Sequence, residues 1–481
     1  MADNPLYTIM QARSVVIAGA SNNFMKMGSI QALNLLHGGF RGEVLFLHPT
    51  EKTVFDHPAY RTPAELPFVP EVALLTTPTR VTPGLLDGLG EHGVRHAVIT
   101  TAGFREMGPE GARLEAELLE IAVRRGIRFV GPNCIGVLNA TEGMNLTVVP
   151  YTDAPGHMGL ISQSGTYVSQ TMPYLRENGI RYSQAISVGN ATSIDVVDCL
   201  DYLGDDPETA AIAMYIEGVQ RGREFLAAAT RVGRTKPLVA LYVGGSSAGA
   251  RSSQSHTGSL GSPDRLFDGV CAQAGILRAS TVDEMFGWAN ALANMPLPRG
   301  RRMAILTHSG GPATSMADAC ERWGLEVPEF SPALQTRIRA FLEPTASAKN
   351  PVDLTFVMGQ ESFVDKIPEV LFASDEIDGV LVHGMMDTGF ALEMHKVAGH
   401  MLGISREDFI KPMEFDLTHL LELPARYGKP LVASNFIRED HAAQTFRERG
   451  VPLFRTPEAA VKAMAALARA GEFRKRWPAS D

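Results

Sequence analysis

Basic charge is scarce in this sequence. Lys and Arg number 44 against 53 Asp and Glu, a net −9 at pH 7, so no basic field exists to draw a nucleic-acid backbone. A local basic site for a phosphorylated ligand stays open. Cysteine is scarcer still: Cys134, Cys199, Cys271 and Cys320 are far apart and lack metal-ligand spacing. That points to a reduced, cytoplasmic protein with neither structural disulfides nor a metal centre. Long apolar runs are missing too. None approaches the roughly 18 residues of a membrane span. The opening MADNPLYTIMQARSVVIAGA has no basic region leading into a long apolar stretch, as a secretory signal would. What is present, 45% hydrophobic and 20% charged residues over 481 positions, is ordinary for packed globular domains. The length suits roughly three of them.

Short β-branched runs alternate with amphipathic stretches along the chain. SVVIAG, EVLFLHP, EVALLTT, RHAVITTAG and IRFVGP read as strands, with helices such as SIQALNLLHG and ARLEAELLEIAVRRG between them. Continuous apolar strands separated by helices predict α/β architecture, a doubly wound parallel sheet covered on both faces. A second set follows at MGLISQ, SQAISVG, AAIAMYIEG and KPLVALYVGG. After a proline-containing joint at 293–302, a third follows at RMAILTHS, GVLVHG and KPLVASNF. MGLISQSGTYVSQTM (158–172) and MAILTHSGGPATSMA (303–317) echo one another: apolar strand, [Ser/Thr]-x-Ser-Gly turn, helix. The second and third sets therefore read as related folds.

Several turns could carry chemistry. Gly19 closes the first strand and Gly28 enters the next helix without a G-x-G-x-x-G fingerprint. A tight glycine turn still lets backbone N–H groups and a helix dipole face a phosphate, so this turn is a candidate for a phosphorylated nucleotide ligand. TTP (Thr76, Thr77, Pro78), TTAGF (Thr100–Phe104) and GPNCIGVLN (from Gly131) end later strands, where such folds bind ligands. On chemistry alone Cys134 reads as a buried small apolar residue. Ser162, Ser164, Gly165 and Thr166 form either an anion cradle or an ordinary helix cap. The echoing Thr307–Gly311 turn favours the cradle. Glu217, ending AAIAMYIEG, is either a solvated strand end or a carboxylate that orients a histidine. His256 lies in GARSSQSHTGSLGSP, whose small residues leave it partly exposed. A neutral imidazole is a competent nucleophile, so a phosphate-accepting histidine stands against a plain linker.

Together these pieces resemble the α subunit of the ADP-forming acyl-CoA synthetases, within the succinyl-CoA synthetase superfamily. VVIAGASN, TTAGF, GPNCIGVLN, LISQSGT, YIEGV, SQSHTGSL, THSGGPATSMADACERWGLE and NPVDLT occur in the family's order and cover nearly the whole chain. The resemblance implies a Rossmann-like CoA-binding domain at 1–148, then two flavodoxin-like domains at 149–296 and 297–481. It implies that His256 is transiently phosphorylated and that Glu217 hydrogen-bonds it. CoA would lie along Gly19, Ala20, Ser21, Thr76, Thr77, Pro78, Thr101, Ala102 and Gly103, with Asn133 and Cys134 near its thiol end. Ser162, Ser164, Gly165 and Thr166 would hold the phosphate. Ser309, Gly310, Gly311 and Gly384 would complete an acyl-phosphate pocket.

Two departures accompany the resemblance. The three α/β sets leave no room for an ATP-grasp module of about 200 residues, which implies a separate β subunit carrying ATP or ADP with Mg²⁺, in an α₂β₂ assembly. The segment 387–415 is longer than the usual family turn and lies near the expected acyl pocket, as a specificity element or surface decoration. The rivals are a CoA-binding regulatory subunit without turnover, which retention of His256 disfavours, and a protein acyltransferase, for whose extra domain no segment is spare.

Overall fold

A computed structural model describes residues 4–249, 251, 261–355, 361–384, 388–411, 414–437 and 440–477. Three sheets organise the chain. The first holds β1 (Ser14–Ala18), β2 (Glu43–Leu47), β3 (Thr53–Val54), β4 (His57–Tyr60), β5 (Val72–Leu75), β6 (His96–Ile99) and β7 (Arg128–Val130), in the order 3-4-2-1-5-6-7. It is parallel except where β3 pairs antiparallel with β4. β1 is buried at every position. Val15 and Ile17 enter one apolar cluster, Val16 and Ala18 another. A strand that feeds two cores reads as an uninterrupted apolar run, which is why this sheet was visible in the sequence. The β3–β4 hairpin was not. Its strands are two and four residues long around Phe55 and Asp56, both at positive φ.

The second sheet holds β8 (Val137–Asn139), β9 (Met144–Asn145), β10 (Met158–Ser162), β11 (Tyr182–Ser187), β12 (Ala211–Ile216), β13 (Leu238–Tyr242) and β14 (Ile276–Ala279), in the order 14-13-12-10-11-8-9. GVLN, read from sequence as the end of the first set, departs from it. As β8 it pairs antiparallel with β11, so residues 137–145 extend the second sheet. Val15 of β1 and Ile161 of β10 share one apolar cluster. The contacts accordingly make a single compact unit of 1–176 with 181–281.

The second compact unit comprises 177–180 and 282–481. Its sheet holds β15 (Met303–Thr307), β16 (Val352–Asp353), β17 (Gly379–His383), β18 (Leu431–Ser434) and β19 (Leu453–Phe454), all parallel in the order 16-15-17-18-19. The unit boundary precedes helix Val282–Asn294, whereas the sequence placed a break at 296/297. The helix packs against the helix Pro457–Arg476. Trp288 meets Trp323 edge-on at 6.3 Å and Glu284 pairs with Lys462 at 2.7 Å. Burial of that face decides which unit the helix joins. The described part of 387–415 forms helices Thr388–Leu402 and Arg406–Ile410, packed on each other, with Val397 and Met401 exposed.

Candidate active site

The first sheet's carboxyl edge gathers three of the turns singled out above. Gly19 has φ +108°, and a Cβ there would strike the Thr76 carbonyl. One at Gly28 would strike Gly19 itself. Two glycines thus let helix Met27–His37 close onto the end of β1. Ala20 is buried beside them. Ser21 donates its N–H to Ser29 Oγ (3.0 Å), which donates back to the Ser21 carbonyl (2.8 Å). Thr76 Oγ1 donates to Gln31 Oε1 (2.9 Å), and Thr101 Oγ1 to the Thr77 carbonyl (2.8 Å). Thr79 Oγ1 donates to the Ala102 carbonyl (2.7 Å), and Gly103 donates its N–H to Glu106. Gly19–Ser21, Thr76–Pro78 and Thr101–Gly103 therefore adjoin at the ends of β1, β5 and β6.

Asn133 leaves this edge at φ +56° and donates through Nδ2 to Asn190 Oδ1 (3.2 Å). Asn190 Nδ2 donates in turn to Glu106 (2.8 Å) and to buried Glu115 (2.9 Å). None of these three partners carried a sequence signal, because each acts through a contact of 57 residues or more along the chain. Cys134 is buried, its Sγ donates to the Ile99 carbonyl (3.3 Å), and burial pushes the thiol up to about 12. It is a satisfied structural thiol, not a nucleophile.

The chain then runs straight into the second site. Ile135 donates its N–H to Ser187 Oγ (3.2 Å), and a Cβ at Gly165 would press on Ile135. In the SQSGT turn, Ser162 Oγ donates to the Ser164 carbonyl (2.6 Å) and accepts the Ser164 N–H (3.1 Å). Gly165 and Thr166 lead into a helix of only four residues, Thr166–Ser169. Ser169 Oγ and Thr171 Oγ1 donate back to carbonyls four residues earlier, a competition that weakens helices.

Glu217 is 4% exposed, at the end of β12. Its N–H and that of Gly218 both donate to Gln163 Oε1 (2.6 and 3.1 Å), while Gln163 Nε2 donates to the Gly218 carbonyl (3.0 Å). Gln163, the variable residue of the turn, thus binds SQSGT to the strand end bearing Glu217. Tyr215 packs on Tyr167 at 4.3 Å. Its phenol is pushed up, first by burial and then by the Glu217 charge.

His256 lies outside the described residues. The roots of its loop do not. A Cβ at Gly244 would strike the Glu217 carbonyl, and one at Gly261 the Gly244 carbonyl. Tyr242 OH donates to the Ser262 carbonyl and accepts the Ser262 N–H, both at 2.6 Å. The loop therefore leaves and returns beside Glu217.

In the second unit the THSGG turn repeats the device. Thr307 Oγ1 donates to the Ser309 carbonyl (3.2 Å) and accepts the Ser309 N–H (3.1 Å). Gly310 and Gly311 open a 13-residue helix, Gly310–Arg322, and Gly384 stands at φ +70° beyond β17.

Comparison with known proteins gives this geometry a context. Residues 13–140 match a CoA binding domain, 155–292 a succinyl-CoA ligase like flavodoxin domain, and 303–372 a ligase-CoA domain. The chain is 33% identical over 458 residues to the α subunit of ADP-forming acetate–CoA ligase II from Pyrococcus furiosus, covering 95% of each. The chain belongs to the ADP-forming acetate–CoA ligase α-subunit family. As a member it is an acid–thiol ligase chain, built from a Rossmann-like CoA-binding fold and two ligase-like flavodoxin folds. The fold matches the dinucleotide-forming acetyl-coenzyme A synthetase 1 of Candidatus Korarchaeum cryptofilum, solved with phosphate and ADP. The TM-score is 0.85 at 30% identity, over 99% of this chain and 100% of that one. ADP-forming acetate–CoA ligase I of Archaeoglobus fulgidus is 32% identical, and this ligase-family chain spans 62% of its length.

Proposed function

We propose that this chain is the α subunit of an ADP-forming acyl-CoA synthetase that reversibly converts acyl-CoA, ADP and phosphate into acid, CoA and ATP. A phosphate oxygen attacks the thioester carbonyl. The C–S bond breaks, CoA leaves as the thiol, and an acyl phosphate remains. The His256 imidazole then attacks phosphorus, and the P–O bond to the acyl oxygen breaks with release of the carboxylate. Finally the β-phosphate of ADP takes the phosphoryl group from the imidazole. Glu217 offsets the positive charge that develops on His256. Phosphate rests against Ser162, Ser164, Gly165 and Thr166. The acyl phosphate draws on Ser309, Gly310, Gly311 and Gly384, and CoA on Gly19–Ser21, Thr76–Pro78, Thr101–Gly103, Asn133 and Cys134. The labour divides with CoA on 1–148, the phosphohistidine loop on 149–296 and the acid on 297–481.

The observation that carries this proposal is the rooting of the His256 loop at Gly244 and Gly261, against the carbonyl of Glu217. A carrier histidine needs a carboxylate at one docking point and a tether that lets it leave. ATP or ADP with Mg²⁺ belongs, in this proposal, to an ATP-grasp β subunit in an α₂β₂ complex. The four free, buried cysteines suit the reducing cytoplasm proposed for it.

The test is to co-purify the partner and supply labelled ATP with Mg²⁺. Acid-labile, base-stable phosphate should appear on this chain and vanish in His256→Asn. Label that persists unchanged in that variant overturns the carrier assignment. Absence of label on the wild type favours a regulatory subunit without turnover.

A further inference from the structure

His308 occupies the variable position of the THSGG turn, just ahead of helix Gly310–Arg322. Its ring is 2% exposed and stacks on Phe363 at 4.0 Å with 21° between planes. Nδ1 lies 2.8 Å from the Gly384 carbonyl. A carbonyl only accepts, so Nδ1 carries the proton and Nε2 presents a lone pair. That lone pair is buried and has no hydrogen-bond partner among the described residues. Burial lowers the basicity of the imidazole, against smaller opposing effects of the Gly384 bond and the Asp353 charge. The ring is therefore neutral at physiological pH and Nε2 is an acceptor.

An orphaned buried acceptor costs about 1–3 kcal/mol, and native proteins rarely leave one without a reason. Open space adjoins the turn at two glycines: a Cβ built at Gly311 or at Gly384 meets nothing within 4 Å among the described residues. Ser309, at the helix N-cap, makes no side-chain cap hydrogen bond, which leaves the first amides of a 13-residue helix uncapped by its side chain. A helix N-terminus and a neutral acceptor thus stand within three residues of each other, with the Asp353 carboxylate 3.2 Å from where a Gly310 Cβ would lie.

We infer that His308 selects the organic acid: the carboxyl or acyl-phosphate end lies at the Gly310–Gly311 helix terminus, and a hydroxyl on the acid's carbon chain donates to His308 Nε2. The inference rests on the ligase function proposed above and names its substrate class, a short hydroxy acid. An unsubstituted acid leaves Nε2 unpaired. A second carboxylate meets a lone pair with a lone pair and is rejected.

The test compares butyrate with 2-, 3- and 4-hydroxybutyrate in two ways: binding to the full chain by calorimetry, and kcat/KM in the complex with its partner subunit. At least one hydroxybutyrate should exceed butyrate about tenfold or more in both. The advantage should fall below about twofold in His308→Phe, which keeps a ring on Phe363 but has no acceptor. Equal handling of all four acids by the wild type overturns the inference, as does an advantage that survives His308→Phe. Should that variant not fold, the ¹⁵N resonance of His308 Nε2 in the wild type decides. It must shift with the preferred hydroxybutyrate and not with butyrate, and no shift overturns the inference. Missing phosphate on His256 sinks the ligase function. A chain that is phosphorylated but shows no hydroxyl preference sinks the acid assignment alone.

Discussion

The turns at 162–166 and 307–311 are built alike and used differently. In each, a hydroxyl at the strand end closes on the residue two positions later, Ser162 on Ser164 and Thr307 on Ser309. In each, the residue between reaches over the neighbouring strand end. Gln163 commits both atoms of its amide to the backbone of Glu217 and Gly218, whereas His308 commits one nitrogen to Gly384 and leaves the other unpaired. The helices diverge too. Four helical residues follow the first turn and thirteen the second, although hydroxyls bond back to the backbone in both, Ser169 to Gly165 and Thr314 to Gly310. A shared backbone device therefore leaves one variable side chain to decide whether a turn braces the protein or faces a ligand.

The comparison breaks most visibly at Glu217, which has no described counterpart beyond β17. Glu217→Gln should lower turnover and histidine phosphorylation by about 10²–10³-fold, with the KM for the acid nearly unchanged, as steady-state kinetics would read. Next is the variable position. Gln163→Leu strands two buried N–H groups and should cost about 2–5 kcal/mol in denaturant unfolding. His308→Phe gives up one hydrogen bond and removes an orphan, so it should cost about 1 kcal/mol or less. Equal costs would mean the two residues brace equally.

A third expectation concerns pH. His383, bonded to Ser434 Oγ at 2.8 Å and edge-on to Phe436, is held down to about 4 by burial, with the Glu458 charge opposing. The unfolded chain then binds the extra proton first, so stability falls as pH drops from about 6.5 towards 4, by on the order of 3 kcal/mol. His308 acts in the same direction, and in the first unit burial lowers His96 likewise. Urea titrations at pH 7 and pH 4.5 should show the second unit losing more, and His383→Gln should remove most of the difference. The smallest effect is the shared device itself. Ser162→Ala and Thr307→Val should each cost about 1 kcal/mol. A gap wider than about 0.5 kcal/mol between them, the usual spread for one hydrogen bond, would show that the likeness is only of geometry.

Legibility followed burial. β1, β5, β10, β12 and β15 are buried along their whole length and were readable as apolar runs. The pairing of β8 with the second sheet was not, because three residues of GVLN give no clue to which sheet accepts them. Glu217 and both serine turns stood out by their place at strand ends. Gln163, Asn190 and His308 did not, since their importance lies in a partner reached, or missing, across the fold.

The double hydrogen bond from Tyr242 to Ser262 sets a leash length. Gly244 and Gly261 are pressed together at the base of the loop. His256 stands five residues from Gly261, so fully extended backbone carries it at most about 17 Å from that anchor. If His256 carries phosphate as proposed, a nucleotide site farther away is reached only when Tyr242 lets go, which makes one phenol the length setting of that stroke.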